Sequence, residues 1–229
     1  MRIVVNHLTR MTKGYVCVAG LDDGEHIRPV SGRLERRLIS VEGGVFDIGS
    51  NVDLGPVVPQ PSPPETEDRE FQRPNLKVVG VMKPGDYWRM LDGVSRARLS
   101  DVFGSDLVQR KSGATVDPGQ GNASLGVIKP SGKPRLYTNS FGSLRITIRD
   151  PLGNLDLSVT DLRLVEQDHK TVRESVVDDL DARIKKGIPL LLSVGLARQF
   201  RATGDTQERH WLQVNNLHLK DNPIWRIDD

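Results

Sequence analysis

One order of elements occurs twice along this chain, and few folds accommodate it. In the first occurrence, Arg2 to Leu8 is apolar and β-branched, the turn-prone Thr12-Lys13-Gly14 follows, and Tyr15 to Leu21 resumes the pattern. Asp22-Asp23-Gly24 is a tight hairpin signal, because an Asp-Gly pair supplies the positive φ of a two-residue turn, and Glu25 to Val30 reads as the returning strand. Leu34 to Ile39 offers apolar positions four apart, enough for one or two helical turns before Gly43-Gly44, and strands resume at Ser50 to Leu54 and Leu76 to Met82.

The second occurrence is sharper. Ser124 to Lys129 is a short strand, Leu144 to Arg149 sets Arg145, Thr147 and Arg149 against Leu144, Ile146 and Ile148, and Leu155 to Leu164 supplies a third strand. Such alternation predicts one buried face. Thr171 and Glu174 have the spacing of a capping box, and Val172, Val176, Val177, Leu180 and Ile184 form one apolar stripe of a helix that Gly187 and Pro189 end. Leu190 to Phe200 and His210 to Leu219 close the series as strands.

Strand, strand, strand, helix, strand, strand is the order of the OB-fold, a five-stranded Greek-key barrel. The chain therefore reads as all-β with minor α: an OB-like barrel over residues 1–83, a helical and loop connector over 84–121, and a second OB-like barrel over 122–229. In the connector, Asp86 is placed to cap a helix carrying Trp88, Leu91 and Val94. Residues 56–74 are dense in proline and acid and read as an extended surface loop, not a ladder-forming strand, with Glu65, Glu67 and Asp68 solvated.

His7-Leu8-Thr9-Arg10-Met11, Gly14 to Gly20 and Ile27-Arg28-Pro29-Val30 resemble the opening signature of a prokaryotic family of dual OB-containing domain proteins. Pro63 to Asp68, Leu125 to Pro130, Val159-Thr160-Asp161-Leu162, Ser193 to Arg198 and His210 to Asn216 extend the resemblance over nearly the whole chain. It implies two OB barrels in tandem and brings no established catalytic set.

With 37% hydrophobic and 27% charged residues among 229, the chain is composed like a folded protein. The longest apolar run, Ile188 to Leu192, is far short of a membrane helix, so no membrane partner is expected. Cys17 is the sole cysteine, which points to a reducing, cytoplasmic setting. No phosphate-binding Gly-rich loop, HExxH, GxSxG or CxxC occurs, and no cofactor or catalytic residue is assigned.

A binding surface fits these residues better than a catalytic centre. OB barrels bind single strands across one face, with cations for the backbone and flat rings for the bases. The net charge is only +2, so placement of the cations matters more than their sum. The candidate nucleic-acid contacts are His7 and Arg10 at the end of the first strand, Arg28, Arg33 and Arg36 in the crowded N-terminal stretch, Arg145 and Arg149 on an outward face, Arg198, and Trp211 in an alternating run with Gln213 and Asn215. The expected partner is single-stranded or structured nucleic acid, with a non-catalytic, accessory role. Two alternatives are a metal-dependent enzyme acting on nucleic acid, using the 65–68 acids or His7 with Arg10, and an adaptor with a protein partner on the proline-rich loop.

Overall fold

Strand β1, Arg2–Arg10, is buried along almost its whole length instead of alternating, which requires cover on both faces. A computed structural model, describing residues 1–227, shows where that cover comes from. β1 pairs with β2 (Tyr15–Asp22) and β2 with β3 (Glu25–Val30), the meander expected from the sequence. Asp23 and Gly24 both have positive φ, 48° and 83°, as a two-residue hairpin demands. β4 (Leu34–Glu35), β5 (Ser50–Asp53), β6 (Val57–Pro59), β7 (Asp68–Phe71) and β8 (Lys77–Val81) complete the first sheet, ordered β6-β7-β3-β2-β1-β5-β8 with β4 on β2.

Helices α1 (Pro84–Val94) and α2 (Ser100–Phe103) follow, then β9 (Val108–Arg110), β10 (Gly113–Val116), β11 (Leu125–Ile128), β12 (Ser131–Thr138), β13 (Leu144–Asp150) and β14 (Gly153–Val159). After α3 (Glu174–Lys185) come β15 (Leu190–Leu196) and β16 (His210–Leu219). The second sheet runs β11-β15-β16-β14-β13-β12, with β10 bridging β16 and β9. In each half a meander is closed by a parallel pair, β3 with β7 and β14 with β16. The protein is thus mostly β, two curled sheets with few helices.

Several sequence expectations need correction. Residues 34–39 form β4 and a 3-10 turn, not an α-helix; Leu34 pairs with Val16 and Ile39 bridges Phe46, so sheet contacts outcompete a helix too short to nucleate. Residues 56–74 do contribute strands, because no proline falls between Pro64 and Pro74, which leaves 68–71 free to pair in parallel with β3, while Pro59 sits on the sheet edge. β12, whose Gly132 and Pro134 disguise it, is the first strand of the second meander, and β11 is an addition alongside β15. Asp86 lies inside α1, which starts at Pro84. The capping box does not form: Asp168 accepts from the Thr171 hydroxyl at 2.6 Å and from the Lys170 and Thr171 amides, and Glu174 instead accepts from Thr138.

Two apolar cores result, one in each half. β15 forms the wall between them: Leu190 and Leu192 face the second core while Leu191 faces the first. That double duty explains its uninterrupted burial. Val127 on β11 and Leu162 likewise enter the first core.

β1 meets the second barrel along its own edge. β5 pairs with residues 2–4 of β1 and the Gly49 amide donates to the Val5 carbonyl at 2.9 Å, leaving the backbone beyond them open on that side. There the Leu8 amide donates to Asn216 Oδ1 at 2.7 Å, Asn216 Nδ2 returns a bond to the Leu8 carbonyl at 3.2 Å, and the Arg10 amide donates to the Thr160 carbonyl at 2.9 Å. A side-chain amide thus takes the place of a neighbouring strand. Beside it, Asp161 and the fully buried Arg163 form a two-pronged ion pair at 2.6 and 2.9 Å, and the guanidinium lies 3.9 Å over the Trp225 ring.

Candidate nucleic-acid interface

The acidic loop is the second fastening. Glu65, Glu67 and Asp68, read from sequence as solvated, are 4%, 7% and 5% exposed. Glu67 accepts from the Ser124 amide at 2.7 Å, the Ser124 hydroxyl at 2.9 Å and the Leu125 amide at 3.1 Å, capping the start of β11. Asp68 bridges Arg28 at 2.5 Å and Arg198 at 2.6 Å, and Glu65 holds Arg198 at 3.1 Å beside His210. Acids of the first barrel therefore hold cations and amides of the second. Sequence spacing gave no hint of this, since partners lie roughly 60 to 130 residues away.

Above this fastening lies a cleft of about 500 Å³, floored by β1, β2 and β3 on one side and by β15 and β16 on the other. Its walls are largely apolar, with Val16, Leu34, Leu125, Leu196 and Phe200 among them. Its polar residues include Thr9, Arg10, Arg28, Arg33, Arg198, Gln213 and Asn215, together with Cys17, whose thiol pKa is raised by burial. Arg28 is buried, and its Nη2 has no hydrogen-bond partner; the same holds for Asn215 Oδ1. Burial works against the Arg28 charge, but Cys17, Asp68 and Glu67 outweigh it and raise its pKa.

The cleft adjoins two further grooves. Through Arg10, Met11 and Thr12 it opens onto one lined by Lys13, Gly14, Asp168, His169 and Lys170. Through Phe200 it opens onto another lined by Arg110, Lys111, Arg145, Asp156 and Trp211. Together the three present nine basic side chains and two acidic ones. Among the described residues, Arg10, Lys13, Arg33, Lys111 and Lys170 have no carboxylate within ion-pair distance; Asp168 acts on Arg10 and Lys170 from farther off, and the charges of Lys13, Arg33 and Lys111 are the most available to a ligand. Phe200 is 46% exposed and its ring centroid lies 6.4 Å from that of Trp211, giving two adjacent aromatic faces.

The residues singled out from sequence fall into separate places. Arg10, Arg28, Arg33 and Arg198 line the cleft. His7 lies behind it, buried, its Nδ1 3.0 Å from Asn215 Nδ2, and its pKa is held well below the ordinary value by burial and then by His26, His218 and Arg28. Arg145 and Trp211 share the outer groove, although Arg145 is engaged with Asp156 at 3.2 Å and Ser158 at 2.7 Å. Arg36 pairs with Glu42 at 3.0 Å. Arg149 stands apart in a shallow depression with Ser131, Lys133 and Asn154. Sequence reasoning passed over Lys13, Lys111 and Phe200, because a lone lysine beside a turn glycine and a phenylalanine after a strand carry no signal until the barrels are joined.

The chain belongs to the dual OB-containing domain family, which it matches over residues 1–217. Among solved structures it is similar to the HIN2 domain of p202 in its tetrameric form, at 12% identity and a TM-score of 0.32, covering 93% of this chain and 90% of that one. It is also similar to a murine DNA-binding protein bound with double-stranded DNA, at 8% identity and a TM-score of 0.31, covering 98% and 94%. No curated protein matches the chain.

Proposed function

We propose that this protein is a non-catalytic nucleic-acid-binding module, acting as an accessory subunit, whose ligand is a single strand laid along the groove where the two barrels meet. The observation that carries this reading is the series of cations outside ion-pair distance of any carboxylate, Lys170, Lys13, Arg10, Arg33 and Lys111, in grooves that also hold the exposed Phe200 and the half-buried Trp211. Cations spaced along a groove match a phosphate backbone, and adjacent aromatic faces match unstacked bases, a combination a duplex with its bases turned inward does not satisfy. The acids at 65–68 are committed to Arg28, Arg198, Ser124 and Leu125, which favours this reading over metal-dependent turnover.

Fluorescence polarisation with labelled single-stranded DNA, single-stranded RNA and duplex, each titrated with salt, tests it. Single strands bind best, and affinity falls steeply with salt as phosphate contacts release counterions. Lys13→Glu and Lys111→Glu each weaken binding and lower the salt slope by about 0.7 or more. Absence of binding at low salt, or binding without a salt slope, overturns the proposal.

A further inference from the structure

Resting on that reading, we infer that the inter-barrel cleft takes in a single unstacked nucleobase, its phosphate remaining outside. The cleft is polarised from its inner end outward. Inside, the Arg28 charge is neutralised by Asp68, and what remains is hydrogen-bonding capacity: one free donor, Arg28 Nη2, and one free acceptor, Asn215 Oδ1. The Asn215 amide nitrogen lies 3.0 Å from His7 Nδ1, and its oxygen is the atom of that side chain left without a partner. Buried polar atoms without partners are costly, and a ligand offering both an acceptor and a donor on one edge relieves that cost.

Outside, the exposed Arg33 and half-buried Arg10 carry charge with no carboxylate beside it, and Arg33 is already stacked 5.2 Å over Tyr15. The walls between are apolar, and about 500 Å³ lies within the range of small-ligand sites. A flat, weakly polar ring with a hydrogen-bonding edge, joined to an anion, is the chemistry that matches neutral interior, apolar walls and cationic rim. A phosphate seated inside would meet Arg28 and Arg198, whose charges Asp68 and Glu65 already offset. The same chemistry is offered by a base within a strand and by a free nucleoside monophosphate.

The experiment uses the full chain and short oligonucleotides carrying one abasic residue at successive positions. A seated base appears as a position where base removal weakens binding about tenfold or more. Ala197→Trp, which fills the cleft, abolishes that position's penalty and leaves the salt slope unchanged, because the rim and groove cations are untouched. In the Trp211→Ala variant, which leaves the cleft walls intact, the penalty persists at that position and vanishes where that ring stacks. This second variant keeps the question decidable if tryptophan at 197 prevents folding. Displacement of the strand by nucleoside monophosphates but not by ribose 5-phosphate extends the site to free nucleotides.

If strands bind with a salt slope yet no position depends on its base once Trp211 is removed, the cleft inference is overturned and the binding reading stands. If no strand binds at low salt, the binding reading itself is overturned and takes the inference with it.

Discussion

Lowering the pH from 7 to 5 destabilises this protein through its buried histidines, and His218 sets the scale. Its ring is fully buried between the barrels; the Ser193 hydroxyl donates to Nε2 at 3.0 Å and Nδ1 donates to the Pro223 carbonyl at 3.3 Å. Ser193 in turn accepts from Asn6 Nδ2 at 3.3 Å, so the neutral ring completes a chain of bonds from one barrel to the other. Burial first, and Arg163 second, bring the His218 pKa from 6.5 down to about 3. As the pH falls below the ordinary value, the unfolded chain takes up a proton that the native fold refuses. Stability is therefore complete above about pH 6.5 and is lost on acidification at about 1.4 kcal/mol per pH unit until the native pKa is reached. Between pH 7 and pH 5 the loss from His218 alone is about 2 kcal/mol. His7 is shifted in the same direction and adds to it.

Urea denaturation of the wild-type protein and His218→Gln, at both pH values, isolates this term. Glutamine keeps an amide near Ser193 but does not titrate. The variant is less stable at pH 7, and the gap between the two proteins narrows by about 2 kcal/mol at pH 5. Parallel losses in both proteins refute the reasoning, because they place the acid-sensitive group elsewhere.

Glu67→Ala strips acceptors from two buried amides and a hydroxyl and lowers unfolding free energy by about 2–5 kcal/mol, whereas Glu67→Gln retains an acceptor and costs about 1 kcal/mol; urea titration separates them. Phe200→Ala and Trp211→Ala each weaken single-strand binding about tenfold in polarisation assays. Arg149→Ala leaves that affinity unchanged, since Arg149 lies outside the three connected grooves. Gly20→Ala brings a Cβ to 2.6 Å from the Val4 carbonyl oxygen and 2.9 Å from Ile3 Cβ, so calorimetry shows a stability loss of about 1–3 kcal/mol.

Local chemistry was readable in the sequence. Asp23-Gly24 announced its hairpin, β13 its buried face, and the valines and leucines of α3 the stripe that packs on the second core. Each of those signals depends on residues a few positions apart. What could not be read depends on neighbours supplied from the other half. Three consecutive leucines at the start of β15 are ambiguous until two cores are known to flank the strand. His7 looked like a loop-end ligand group because nothing local reveals that β1 is covered on both faces. The carboxylates at 65–68 looked solvated because their partners in the other half follow more than fifty residues later, at Ser124 and Arg198. The candidate site is largely made by the junction, so only its scattered ingredients, Arg10, Arg28, Arg33, Arg145, Arg198 and Trp211, were visible beforehand.

The clasp of Asn216 on Leu8 also bears on how such proteins can change over generations. Both backbone hydrogen-bonding groups of one residue are matched by one amide in the distant half, and aspartate, leucine or histidine there leaves a donor or acceptor stranded. Exchange of a single barrel between relatives succeeds only when this pairing travels with it, so the two halves are inherited as a matched set.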